Sequence, residues 1–156
     1  MITINLICVG NIKEKFYTDA CKEYEKRLNA FCKFNLIELK EINYFNPTAS
    51  EIEKIKQEEG KRIIEKLKKF NVLLSLKGKE FTSEELASFI LEKEQITSEI
   101  TFIIGGSYGV SKEVEEKVQY KLSFSKLTFP HQLMRVILLE QIYRAFTIIY
   151  NKGYHK

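Results

Sequence analysis

Leu122-Ser-Phe-Ser-Lys-Leu-Thr-Phe-Pro-His-Gln-Leu-Met-Arg135 runs without a break into a long apolar segment that ends near Tyr150. The stretch holds one of only two prolines and one of only two histidines in the chain. Pro130 fixes φ and lacks an N–H that a first-turn residue would leave unpaired anyway, so it suits the first helical position. Residues 122–124 read as a last short strand. Strand, loop and helix thus follow one another, and the loop faces a helix N-terminus with free N–H groups and about half a positive charge. That combination makes the stretch a candidate ligand or catalytic edge.

Upstream, the same unit recurs. Residues 2–9 form a β-branched apolar run closed by Gly10, the pattern of a buried strand. Between residues 14 and 31, Phe16, Ala20, Tyr24, Leu28 and Phe31 recur at spacings of four and three with charges between them, which predicts an amphipathic helix. Residues 34–39 read as a second strand. A polar loop through Pro47 leads to Ser50-Glu-Ile-Glu53, a capping-box pattern that opens a helix carrying Ile52, Ile55, Ile63 and Leu67. Residues 72–76 read as a third strand, followed by a turn at Lys77-Gly-Lys79 and a helix over 83–94. The fourth strand, 100–104, ends in Gly105-Gly-Ser-Tyr-Gly109, and a short charged helix follows over 111–118. Alternation of this kind predicts an α/β fold with a mostly parallel sheet, helices on both faces and ligands beyond the carboxyl ends of the strands. Residues 1–156 read as one domain, with no repeat or linker.

Composition narrows the function classes. The three cysteines, Cys8, Cys21 and Cys32, make no C-x-x-C pair and sit in apolar patterns, as buried thiols of a reducing cytoplasm do. Two well-separated histidines and no paired cysteines offer no zinc ligand set, so no metal is expected. Glu140, Gln141 and Arg144 interrupt the last apolar segment well short of the ~20 residues of a membrane span. The N-terminus lacks the basic start and cleavage site of a signal peptide. A net charge of +4 is compatible with a polyanionic partner such as RNA. The final helix is apolar around nearly its whole circumference, which calls for a second covering surface, either a symmetric partner or its own domain.

The glycine-rich turn at 105–109 allows close approach of backbone to a ligand but is neither a dinucleotide fingerprint nor a P-loop. More telling are three strand-end loops, after Leu74, at Gly105 and at 124–129, which offer open backbone groups on one edge of the sheet. A nucleoside-like ligand read by main-chain atoms fits that edge. Arg144 has a plain structural reading as the partner of Glu140 one turn earlier. The tail Gly153-Tyr-His-Lys156 reads as a frayed end, although its phenol and imidazole are capable of proton transfer.

These motifs carry a resemblance. Ile104-Gly-Gly-Ser-Tyr-Gly109, Leu122-Ser-Phe-Ser-Lys-Leu-Thr-Phe-Pro-His131, Glu140-Gln-Ile-Tyr-Arg-Ala-Phe146 and Tyr154-His-Lys156 closely resemble the ribosomal RNA large subunit methyltransferase H family of the SPOUT superfamily. The likeness spans the whole chain. It implies a SPOUT-type α/β knot, with a C-terminal trefoil that a general rule against threaded connections would exclude. It also implies an S-adenosylmethionine-dependent homodimer that methylates N3 of a pseudouridine in helix 69 of 23S rRNA within the assembled ribosome. By matched position, the cofactor contacts would be Leu74, Gly105, Phe124, Ser125, Lys126, Leu127, Thr128 and Phe129. Relatives often carry an acidic residue after the first of these, where this chain has Ser75. For the chemistry, the expectation is that His155 with Tyr154 accepts or relays the N3 proton while Arg144 stabilises the developing anion. The competing expectation is a non-catalytic ribosome- or RNA-binding protein with a nucleoside-type pocket.

Overall fold

A computed structural model describes residues 1–156. Strands and helices alternate as β1 (Thr3–Val9), α1 (Lys15–Leu28), β2 (Lys33–Leu39), α2 (Ala49–Lys66), β3 (Asn71–Glu80), α3 (Ser83–Glu94), β4 (Glu99–Ile104), α4 (Lys112–Lys117), β5 (Tyr120–Ser123) and α5 (His131–Ile149). All strand pairs are parallel, in the order β2-β1-β4-β3-β5. This is the expected α/β sheet covered on both faces.

Strand pleating sorts the core into two layers. Ile4, Leu6 and Cys8 of β1 join Phe102 and Ile104 of β4 on the face covered by α1, α3 and α5. Ile7 and Val9 join Ile103 and Leu73 on the opposite face, under Ile63 of α2 and Val114 of α4. Crossovers that step toward β2 run over the first face and those that step toward β5 run over the second, so every crossover has the same hand, as right-twisted strands require. β5 lies at the edge beyond β3, yet α5 packs against both α1 and α3. The chain leaving β5 must therefore pass the carboxyl end of β3, where β3 turns into α3.

Local chemistry moved several expected boundaries. α2 is capped by Thr48, not Ser50: the Thr48 hydroxyl accepts from the Glu51 N–H at 3.3 Å while Glu51 accepts from the Thr48 N–H at 3.0 Å. The same sequence pattern starts two residues earlier than read, because Thr48 is the residue with extended backbone. Pro130 is the N-cap of α5, not its first residue; with ψ at 143° it is still outside the helix, and its carbonyl accepts the first intrahelical bond from Met134. α1 stops at Leu28, whose carbonyl takes both the Phe31 and Cys32 N–H groups in a tight turn. That turn swings the Phe31 ring onto Phe146 and Tyr150, centroids 5.8 and 5.6 Å away.

The largest departure is in β3. Leu74 and Lys79 both pair with Leu122 of β5, so the intervening residues 75–78 leave the ladder as a bulge and the strand then resumes to Glu80. The expected turn at Lys77-Gly-Lys79 does not form: these residues belong to β3, which continues past the irregularity. Gly78 is required there, because a Cβ would fall 2.6 Å from the Leu122 backbone.

α5 lies mostly within its own domain. Leu138, Leu139, Ile142, Ala145 and Phe146 are fully buried, while Leu133, Val136 and Ile137 remain half-buried. No helix is long and apolar enough to cross a membrane.

Candidate functional site

Three strand-end segments converge on one cleft of about 420 Å³ at the carboxyl edge of the sheet. The β3 bulge supplies Leu74, Ser75, Leu76 and Lys77; the loop after β4 supplies residues 105–110; the segment after β5 supplies Phe124, Ser125, Leu127, Thr128 and Phe129. His131 and Met134 of α5 close the fourth side. The Ser107 hydroxyl and His131 Nε2 lie 3.1 Å apart, tying the glycine-rich loop to the start of α5. Of the expected cofactor contacts, Leu74, Gly105, Phe124, Ser125, Leu127, Thr128 and Phe129 therefore line one space. Lys126 does not: the Leu127 N–H turns back onto Ser125 Oγ at 3.0 Å, which leaves Lys126 at an exposed apex.

The walls are built for an amphipathic ligand. The floor is apolar, from Leu73, Ile104 and Leu122 at the strand ends, while the rim is rich in backbone and hydroxyl groups. A Cβ at Gly106 would lie 2.5 Å from Glu59 Oε1, so that buried side chain would have to shift to admit one. Glu59 accepts the Ile42 N–H at 3.0 Å, and its burial pushes the carboxyl above the usual carboxylate range. The only carboxylate among the lining residues is Glu115 of α4, 3.5 Å from Lys77 Nζ. Sequence reasoning missed Glu115, because nothing in a short charged helix says which of its acids faces inward.

The tail is not frayed. Arg144 Nη1 lies 3.1 Å from His155 Nδ1, and His155 Nε2 lies 2.7 Å from Glu84 Oε1 at the start of α3. Arg144 Nε also donates to both Glu140 oxygens, at 2.9 and 3.2 Å, so the plain pairing exists alongside the tail contact. The guanidinium sits 4.8 Å from the Tyr154 ring centroid, a cation–π distance, and Tyr154 meets Tyr143 edge-on. Burial raises the Tyr154 phenol above its ordinary value, and the neighbouring Tyr24 adds to the effect.

Tyr154, His155 and Arg144 are thus brought together, but away from the cleft. None of them lines it, and Arg144 lies ten positions beyond Met134 on α5. At 1.5 Å per residue that is about 15 Å along the helix axis.

A family model described as "Predicted SPOUT methyltransferase" matches residues 2–155. The chain belongs to the SPOUT methyltransferase family. Its relatives include the ribosomal RNA large subunit methyltransferase H of Carboxydothermus hydrogenoformans, 48% identical over 157 residues, covering 98% of this chain and 99% of that one. The protein of the same name from Clostridium beijerinckii is 49% identical over 160 residues, covering 99% and 100%. Among solved structures, one described as a probable methylase family protein from Haemophilus influenzae Rd KW20 superposes with a TM-score of 0.57 at 11% identity, covering 98% of this chain and 70% of that one. That likeness concerns the fold alone. The cleft accords with S-adenosylmethionine, the methyl donor that membership of this family brings: an apolar floor for a base, open backbone groups around it, and one carboxylate for a ligand that carries cationic groups.

Proposed function

We propose that this protein methylates N3 of a pseudouridine in helix 69 of 23S rRNA, on the assembled ribosome, as a homodimer that uses S-adenosylmethionine. The observation that carries this reading is the cleft formed by the three strand-end loops, on a chain matched along its whole length by large-subunit rRNA methyltransferases. The trefoil knot expected of the family is supported by the path from β5 past the end of β3 to α5.

Bound S-adenosylmethionine would supply an electrophilic methyl group on a sulfonium, so the chain needs no covalent nucleophile of its own. Leu74, Gly105, Phe124, Ser125, Leu127, Thr128 and Phe129 would hold the donor at the strand ends and exclude water from beneath it. The remaining task is the N3 proton. If N3 must ionise before it reacts, each pKa unit above the working pH adds about 1.4 kcal/mol to the barrier. His155 would take that proton, Tyr154 would help to place the base, and Arg144 would stabilise the negative charge left on the ring. Because the tail lies about 15 Å along α5 from its own cleft, the partner's tail is the natural complement to each cleft. The half-buried Leu133, Val136 and Ile137 would lie under that partner.

Calorimetry tests the donor: S-adenosylmethionine should bind, whereas ATP and FMN should not. Mixed dimers test the composite site. A variant crippled in the loop after β5 and an Arg144→Ala variant, each inactive alone, should regain roughly a quarter of wild-type activity when unfolded and refolded together, because half of the dimers carry one intact site. No recovery from refolded mixed dimers would refute the shared site, and binding of FMN in preference to S-adenosylmethionine would refute the methyltransferase reading.

A further inference from the structure

Glu84 and Arg144 grip the His155 ring from opposite sides, 2.7 Å from Nε2 and 3.1 Å from Nδ1. A guanidinium only donates and an ionised carboxylate only accepts. The two partners therefore assign the ring between them: Nδ1 presents the lone pair and Nε2 carries the hydrogen. Glu84 can impose that choice because it is anchored independently of the tail. It stands in the first turn of α3, where Thr82 and Glu85 form a reciprocal capping box at 3.1 and 2.8 Å. The His155 hydrogen bond, followed by a backbone N–H, holds the Glu84 carboxyl below the usual range, so it remains an anion. Arg144 is tied in turn to Glu140. The contacts Glu84, His155, Arg144 and Glu140 form an unbroken chain from α3 through the tail to α5.

The geometry points to Glu84 as a positioning residue for the proton transfer: it fixes the His155 ring through Nε2–H, makes Nδ1 the accepting atom and stabilises the imidazolium that forms. This inference rests on the proposed function and adds a residue to it. In the step, the substrate N3–H bond breaks, its electron pair stays on N3, and a new N–H bond forms at Nδ1. Substrate must first take the place of Arg144 at Nδ1. The freed guanidinium donor is then available to the carbonyl oxygen beside N3, over which the negative charge spreads. The carboxylate takes no proton; its part is that of the acid in a serine protease triad, which holds the imidazole in one tautomer. Sequence alone gave no hint of this, because Glu84 reads as an ordinary first-turn acid favoured by the helix dipole.

The test uses the full chain with Glu84→Gln, Glu84→Asp, His155→Asn and the double variant Glu84→Gln/His155→Asn. Long-range nitrogen–proton NMR on wild type should report the Nε2–H tautomer of His155, and Glu84→Gln should erode that preference. In single-turnover transfer to ribosomes with both substrates saturating, Glu84→Gln should slow the reaction about tenfold or more, a fraction of what general acid–base catalysis supplies. The dissociation constant for S-adenosylmethionine and half-saturation by ribosomes should not change, and Glu84→Asp should recover part of the rate. In the His155→Asn background, Glu84→Gln should have no further effect. A wild-type rate in Glu84→Gln, an equal loss in the His155→Asn background, or an Nδ1–H ring in wild type would overturn the inference. A wild-type protein that transfers no methyl group would instead refute the proposed function.

Discussion

Replacing Gly78 by alanine tests how the β3 bulge builds the cleft. The new Cβ would lie 2.6 Å from both N and C of Leu122 and 2.7 Å from C of Lys121. Carbon atoms in comfortable contact stand about 3.5–4.0 Å apart, so β3 and β5 would have to separate by about 1 Å. The obstructing atoms are backbone and cannot rotate aside. Overpacking of this kind costs about 1–3 kcal/mol. A domain of this size loses roughly 2–4 °C of midpoint per kcal/mol, so thermal unfolding should shift down by about 2–12 °C. Function should suffer as well, because β5 runs straight into the segment 124–129 that lines the cleft. A loss of about 1.4 kcal/mol in binding would raise the dissociation constant for S-adenosylmethionine about tenfold. Gly153→Ala is the control, since a Cβ there meets nothing within 4 Å. Differential scanning fluorimetry and calorimetry on both variants would decide the matter. If Gly78→Ala matched Gly153→Ala in midpoint and affinity, the close β3–β5 approach at Gly78 would not be what holds that side of the cleft in place.

Phe146 is fully buried and stacked on Phe31, so Phe146→Ala should lower unfolding stability by about 3–5 kcal/mol in denaturant titration. Burial raises the thiols of Cys8 and Cys32 to about 12 and that of Cys21 to about 11, so the native chain should react with Ellman's reagent at pH 8 far more slowly than the unfolded chain, which should titrate all three. Burial also raises Glu59, which means the folded chain holds its proton more tightly than the unfolded chain does. The stability that this proton confers is complete below the ordinary value of 4.5 and is lost as pH rises through the folded value. Glu59→Gln should therefore gain stability on wild type near pH 8 and lose that advantage toward pH 4. Arg144→Lys keeps the charge but not the Nε–H shared by the two Glu140 oxygens or the guanidinium contact with the Tyr154 ring, so methyl transfer should fall while S-adenosylmethionine affinity holds.

The sheet was legible because the strands are short apolar runs in strict alternation with helical periods, and the cleft because parallel strands place their end loops on one edge. Boundaries that depend on which residue has extended backbone were less so: Thr48 and Ser50 both fit a capping box, and only the entry angle of the chain selects Thr48. The β3 bulge was hidden because Lys77-Gly-Lys79 looks the same whether a strand ends there or resumes beyond it. Glu115 and Glu84 were hidden for a further reason, since their roles depend on groups far away in sequence, namely Lys77 on the bulge and His155 in the tail. The tail itself was legible only by resemblance, as the seven residues that follow α5 carry no local signal that they dock.

The proposed reaction places a methyl group on N3 of one pseudouridine. A methyl there removes a Watson–Crick donor, so it both retains label and halts reverse transcription. Ribosomes from a strain lacking the modification, incubated with this protein and tritiated S-adenosylmethionine, should take up about one methyl per ribosome and show one new stop in helix 69 of 23S rRNA. No incorporation into 23S rRNA, or a stop at some other nucleotide, would contradict the account.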